Sequence, residues 1–251
     1  MAELAGKRAL VVGGSRGFGR GIAEGLLAAG AAVHVVARNP QPLAELERAS
    51  EGRIRTTAGD AADPAVCAGL LDEVRPDIVV LNAGAAPQMG PIQHQTWESF
   101  SINWNSDVKI VFHWLREILL APLPSGSQVV AVSSGAALRG SPMSGGYAGA
   151  KATVRFIAQY AAEESSRAKL GIRVTSLLPR LSPATDLGRA AVAAYARRAG
   201  RTEEQFLAQM GPPLTPPLVG TAVVRLLTDR SLDVHAAFDL DAAGLTPVGV
   251  T

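Results

Sequence analysis

RALVVGGSRGFGRGIAEGLLAAG, residues 8–30, passes from a short β-branched run through a glycine-rich turn into a helix-prone apolar stretch. Gly13, Gly17 and Gly19 stand in the spacing Gly-x-x-x-Gly-x-Gly. Residues without side chains let such a turn close tightly and aim backbone N–H groups, with the positive end of a helix dipole, at a phosphate. With 26 glycines in the chain, the spacing alone is a weak signal. The order strand, loop, helix makes it a candidate dinucleotide cradle.

Outward from this unit the same alternation repeats. Apolar runs stand at 31–37 (AAVHVVA), 78–82 (IVVLN), 128–134 (QVVAVSS) and 172–178 (IRVTSLL), and a strand-like AFDLD follows at 237–241. Helical patterns fall near 17–29, 41–50, 64–74, 96–120, 147–166 and 217–228, with one more expected within 185–210. Continuous apolar strands separated by helices require a sheet covered on both faces. The expected fold class is therefore α/β, a doubly wound Rossmann-type parallel sheet in a single domain over residues 1–251. The one break in composition is proline-rich: PRLSPA and GPPLTPPL bracket a charged helical piece, and residues 180–217 are read either as a lid over the site or as a surface connection with no role.

Charge excludes little but points nowhere unusual. Twenty-four basic residues against 22 acidic ones, spread through both halves, give no patch for nucleic acid or an anionic membrane. No apolar run has the length of a membrane helix, and no signal-peptide core precedes the glycine loop. The lone Cys67 rules out an internal disulfide, and the expected location is the cytoplasm. His34, His94, His113 and His235 lack metal-ligand spacing, so no metal is expected. Trp97, Trp104 and Trp114 are read as packing or subunit contacts, and Cys67 as inert packing.

The second strand ends in Ala37 and Arg38, with no carboxylate before Glu45. An acidic side chain at this point pairs with the ribose hydroxyls of NAD, whereas arginine accommodates a 2′-phosphate. Arg38, with Arg16 from the glycine loop on the other side, favours NADP(H).

GGYAGAKATVRF, residues 145–156, sets Tyr147 and Lys151 one helical turn apart. With three tyrosines and four lysines in the chain, chance supplies about 0.05 such pairs. A phenol ionises near pH 10, and lowering that by three units takes about 4 kcal/mol. An ammonium about 4 Å away at an effective dielectric of about 20 supplies an interaction of that size. Tyr147 is thus a candidate general acid/base. Gly145, Gly146, Ala148, Gly149 and Ala150 are expected to leave the surrounding face open for a cofactor ring and substrate. Upstream, Ser133 and Ser134 end a strand whose C-terminal end should open into the ligand crevice, and Ser134 is the candidate to orient a substrate oxygen.

Together these motifs resemble the short-chain dehydrogenase/reductase family in its compact form, over roughly residues 7–180. The resemblance implies catalytic Asn103, Ser134, Tyr147 and Lys151, with Asn103 supporting a proton relay through Lys151 and water. It implies cofactor contacts from Gly13, Ser15, Arg16, Gly17, Phe18 and Gly19, from Arg38, from Asp60 and Ala61 near the adenine, and from Asn82, Ala83 and Gly84. Tyr147, Lys151 and Pro179 are implied on the nicotinamide side. The implied activity is NADP(H)-dependent exchange of hydride between nicotinamide and a small-molecule carbonyl or alcohol, in a homodimer or homotetramer. A non-catalytic NADP-binding sensor or scaffold, and a sugar epimerase or dehydratase, are the rival readings. Val12 stands where the family has threonine, and Arg180 follows Pro179 where it has glycine. Arg180 is open to three readings: pyrophosphate, an anionic substrate group, or solvent. Met89, Leu138, Met143 and the Pro179–Pro217 segment are expected to wall an apolar substrate pocket.

Overall fold

A strand buried on both faces must be apolar along its buried length, and β1 (Arg8–Val12) is built this way after its exposed first residue. In the computed structural model, which describes residues 3–249, Ala9 and Val11 point into one core layer, and Leu10 and Val12 into the other. The remaining strands are β2 (Ala32–Ala37), β3 (Ile54–Ala58), β4 (Ile78–Leu81), β5 (Gln128–Val132), β6 (Arg173–Pro179), β7 (Ala237–Asp241) and β8 (Gly244–Pro247). They form one sheet in the order β3-β2-β1-β4-β5-β6-β7-β8, parallel except for the antiparallel last pair. The order reverses direction between β1 and β4, and a sheet of this kind opens its ligand crevice at the strand C-termini there.

The helices are α1 (Gly17–Ala28), α2 (Pro40–Ala49), α3 (Pro64–Val74), α4 (Trp97–Phe100), α5 (Lys109–Leu120), α6 (Ala136–Arg139), α7 (Tyr147–Arg167), α8 (Asp186–Arg198), α9 (Glu203–Leu207) and α10 (Pro216–Thr228). The punctuation is local. Asn39 and Asp63 accept the backbone N–H of Gln41 and Ala65 and so cap α2 and α3, each followed by a proline in the first turn. One core layer gathers α1, α2 and α10, the other α3, α5 and α7. Trp114, fully buried, donates its indole N–H to the Ala61 carbonyl at 2.9 Å.

Three readings need correction. The stretch 96–120 is not one helix: α4 ends at Phe100, a π-helical turn spans Trp104–Val108, and α5 begins at Lys109. This wide turn lets Asn103 and Asp107 both bury their side chains against the loop after β4, which a continuous α-helical pattern does not reveal. Two helices, α8 and α9, occupy the proline-bracketed segment where one was expected. β3 and β8 also escape the apolar pattern. β3 is an edge strand whose IRTTA sequence is mostly polar, and β8 is a four-residue edge strand beginning in glycine and ending in proline.

α1 and α10 touch backbone to backbone. A Cβ built on Gly21 lies 2.1 Å from the Pro216 carbonyl oxygen, and one on Gly220 lies 2.2 Å from that of Gly21. Gly21→Ala should therefore cost about 1–3 kcal/mol of stability, the range for overpacking. Gly69→Ala, on exposed α3 with no atom within 4 Å of the new methyl, should gain about 0.5–1 kcal/mol. Denaturant midpoints of the two variants should move in opposite directions.

Candidate active site

A cleft of about 1180 Å³ opens at the C-terminal ends of the central strands. Gly13, Ser15, Arg16, Gly17 and Phe18 line one end of it. Gly13 has φ +83°, and a Cβ there would lie 2.5 Å from Ala83 Cα, so no larger residue fits. Asn82 donates from Nδ2 to the Gly13 carbonyl at 2.8 Å, tying the loop to the end of β4. No side chain caps the first turn of α1, and none of its residues is acidic, so its N–H groups face the cleft uncommitted. That arrangement fits a pyrophosphate. Gly19 is not on the wall. It sits behind the loop, where a Cβ would be 2.1 Å from the Gly13 carbonyl oxygen.

Arg38, Asp60, Ala61, Asn82, Ala83, Gly84 and Pro179 also border the cleft. Arg16 is engaged elsewhere: its guanidinium pairs with Asp186 of α8 at 3.2 Å, with both groups exposed. Thr185 was not anticipated. It caps α8 by accepting the Gly188 N–H, and its methyl is the nearest atom to a Cβ built on Gly17, at 3.6 Å. No glycine spacing or periodicity in the sequence flags a threonine in this proline-rich stretch.

Tyr147 begins α7 at the cleft wall, with Lys151 one turn further in. The Lys151 ammonium lies 5.7 Å from the Tyr147 ring centroid, 3.2 Å from the Val132 carbonyl it donates to, and 3.0 Å from Asp107 Oδ2. It is buried. Burial pushes its pKa down, but the Asp107 carboxylate and Tyr147 more than offset this and hold it above the ordinary lysine value. Ser133 donates its hydroxyl to the Lys151 carbonyl at 2.7 Å, anchoring α7 to the end of β5. Ser134 faces the cleft and accepts the Ala136 N–H at 3.2 Å, which leaves its hydroxyl proton free to donate.

Asn103 is not on the cleft wall. Its Nδ2 donates to the Ala85 carbonyl at 2.8 Å and to Asp107 Oδ1 at 3.2 Å. The sequence reading joined Asn103 to Lys151 through water; in the structure the Asp107 carboxylate stands between them. Asp107, which the sequence reading did not single out, lies in the π-helical turn inside a stretch read as ordinary helix.

The small residues around Tyr147 do something other than expected. A Cβ on Gly146 would meet the Phe100 carbonyl oxygen at 2.2 Å, one on Gly149 would meet Trp104, and Ala150 is fully buried. Of residues 145–151, only Tyr147 and Lys151 border the cleft. The bare stretch seats α7 tightly against Phe100 and Trp104 rather than clearing space for ligands.

At the outer end Met89 lines the cleft, but Leu138 and Met143 do not; Leu138 is exposed on α6, and the Met143 sulfur accepts from Arg198. Tyr195, Phe206 and Met210 from α8, α9 and the residues after it line it instead, with the Tyr195 and Phe206 rings stacked at 6.3 Å. Arg180 is exposed, as one of its three readings had it, but its guanidinium is not free. Its guanidinium grips Asp239 of β7 at 2.8 and 2.9 Å and Asp241 at 3.1 Å, and Arg139 approaches Asp239 from the other side at 3.3 Å. Cys67 is buried, and burial pushes its thiol up to about 12, as inert packing requires. Among the described residues no group of three or more potential ligands could hold a metal, and no helix is long and apolar enough to cross a membrane.

Comparison with known proteins gives a consistent picture. The family model for short chain dehydrogenase matches residues 7–195. Short chain dehydrogenase/reductase AacuD of Aspergillus aculeatus is 33% identical over 181 residues, 69% of this chain and 63% of that protein, so the match spans less than two thirds of AacuD. The 2,5-dichloro-2,5-cyclohexadiene-1,4-diol dehydrogenase of Sphingobium indicum is 32% identical over 71% of this chain and 74% of its own. L-xylulose reductase of Bos taurus is 30% identical over 75% of this chain and 77% of its own. A solved NAD+-bound xylitol dehydrogenase shares the fold, with a TM-score of 0.80 at 19% identity over 94% of this chain and 97% of that one.

The Arg180–Asp239 pair makes a testable contribution to stability. Burial alone would raise the Asp239 pKa, but hydrogen bonds from Arg139 and Arg180 more than offset it and leave the group below the ordinary carboxylate value. A depressed acid stabilises the fold above its unfolded pKa and loses that contribution as pH falls through its folded one. Arg180→Gly should cost about 1–2 kcal/mol at pH 7, between an exposed and a buried pair. The difference from wild type should shrink as urea denaturation is repeated at progressively lower pH, below about 4.

Proposed function

The chain belongs to the short-chain dehydrogenase family, and from that premise we propose that it is an NADP(H)-dependent oxidoreductase in which Tyr147 exchanges a proton with a carbonyl or alcohol oxygen. The observation that carries this reading is the convergence of Tyr147, Lys151 and Ser134 on the cleft that begins at the glycine loop. A bound nicotinamide supplies or accepts the hydride at the substrate carbon. Ser134 donates its free hydroxyl to the substrate oxygen, holding it within reach of Tyr147. Tyr147 gives its proton to that oxygen during reduction and takes it back during oxidation. At 5.7 Å from the ring, the Lys151 ammonium favours the phenolate by something on the order of 3 kcal/mol at an effective dielectric of about 20, before any opposing charge is counted. Asn103 acts at one remove, by fixing Ala85 and Asp107.

The preference for NADP(H) rests on Arg38 at the cleft where β2 ends, with no carboxylate beside it. Arg16 joins it when the exposed Asp186 pair opens, since such a pair is worth only about 0–1 kcal/mol. The segment from Pro179 to Pro217 works as a lid over the outer cleft, and its Tyr195 and Phe206 suit a largely apolar substrate. Phe112 on α5 with Phe156 and Tyr160 on α7 form an exposed aromatic face that suits pairing with another copy of the chain.

Following NADPH absorbance against ketones, aldehydes, quinones and imines, with NADH in parallel, tests the reading. Wild type should turn over at least one class and favour NADPH, and Arg38→Asp should weaken that preference. Tyr147→Phe should lose about 10²-fold or more in kcat with cofactor affinity little changed. Near-normal turnover by Tyr147→Phe would contradict the proton assignment, and a wild type that favours NADH would contradict the cofactor assignment.

A further inference from the structure

We propose that Asp107 is a positioning residue of this site: its carboxylate fixes Lys151 and offsets much of the ammonium's charge, so that Tyr147 keeps its proton at neutral pH. The inference rests on the reading of Tyr147 as the proton-exchanging group. Its consequence is directional: a site that holds a phenol is set to give a proton to a carbonyl oxygen, whereas one that holds a phenolate is set to take a proton from an alcohol.

The geometry of the carboxylate carries the argument. Asp107 is 1% exposed. Oδ1 receives three donors: Ser106 Oγ at 2.7 Å, the Ala85 N–H at 2.9 Å and Asn103 Nδ2 at 3.2 Å. Oδ2 receives none of these and faces the Lys151 ammonium at 3.0 Å. Three donors on one oxygen aim the carboxylate, with its other oxygen committed to the ammonium. Gly84 completes the fit, because a Cβ there would lie 2.6 Å from Oδ2. An apolar side chain would leave the buried ammonium without a counter-charge and the donors on Oδ1 without an acceptor. What aspartate adds beyond a neutral acceptor such as asparagine is the charge.

That charge acts where Tyr147 feels it. The ammonium attracts a phenolate, and a carboxylate in contact with the ammonium opposes that attraction, so the net pull is the difference between the two. Asp107 and Tyr147 are the charged or titratable groups that act on Lys151. From β5 the pair meets the Val132 carbonyl and the Ser133 hydroxyl bound to the Lys151 carbonyl, both neutral, and from the loop after β4 the backbone of Ala85. Of the five guanidiniums that border the cleft, Arg139 and Arg180 are paired with Asp239 and Asp241, Arg16 and Arg189 with Asp186, and Arg38 stands at the end of β2. Asp107 and Tyr147 together more than offset the burial of the ammonium and hold it above the ordinary lysine value.

The test is a difference titration of phenolate absorbance near 295 nm, which needs neither cofactor nor substrate. With only three tyrosines in the chain, subtracting Tyr147→Phe from wild type isolates Tyr147. In an Asp107→Asn background the amide oxygen and the Val132 carbonyl still accept from the ammonium, and with Lys151 so held in its charged form the same subtraction should show a midpoint lower by about one pH unit. Asp107→Ser, which keeps a hydroxyl for the Ala85 N–H, should move it the same way. An unchanged or higher midpoint in either folded variant overturns the proposal, because a merely structural role would not lower it. Failure of both variants to fold makes Asp107 a structural residue and overturns it as well. If the carbonyl panel shows no turnover while the midpoint moves, the oxidoreductase reading fails and the charge balance stands.

Discussion

A buried ammonium must be matched wherever it goes, and the site is organised around the matching of Lys151. Its contacts come from separate parts of the chain: the Val132 carbonyl at the end of β5, Asp107 in the π-helical turn before α5, and Tyr147 on its own helix. Ser133 closes the arrangement by bonding the Lys151 carbonyl. Each contact serves as a positional restraint as well as an electrostatic one. The phenol can sit at the cleft wall only because the lysine behind it is held from both strand and helix.

The same economy of space governs the packing. Glycines along α1 and α10 bring two backbones into contact on one side of the sheet, and Gly146 brings α7 against the Phe100 carbonyl on the other. Close approach of this kind fixes helix ends to within a side chain's width, as a phenol and an ammonium one turn apart require if both are to meet a ligand. On the far wall, where the family resemblance implies glycine after Pro179, Arg180 bonds Asp239 and Asp241 instead. Behind the lining, these two aspartates balance Arg139 and Arg180.

Much of this was legible in the sequence. Buried parallel strands advertise themselves as apolar runs, so β1, β2, β4, β5 and β6 could be read directly, and the glycine loop and the Tyr147–Lys151 spacing located the cleft. Edge strands β3 and β8 were silent because half-exposed polar strands carry no such signal. The small residues beside Tyr147 were misread as cleared space because composition reports size and not what lies opposite. Asp107 was missed because a carboxylate in a helical stretch ordinarily faces water, and only a wide turn carries this one inward. Arg180 could be seen as a departure, but its partner lies 59 residues away on β7, beyond any local pattern.

The function we propose for this cleft is hydride passing between a nicotinamide and a carbonyl carbon while Tyr147 supplies the proton. Isotope transfer tests that most directly: the protein is incubated with NADPH deuterated at C4 on either face and with simple ketones and aldehydes, and the alcohols are analysed by mass spectrometry. The expected result is deuterium on the alcohol carbon from one of the two labelled cofactors with wild type, and none above background with Tyr147→Phe. Cofactor bound to the wild type with no deuterium in any product would contradict it.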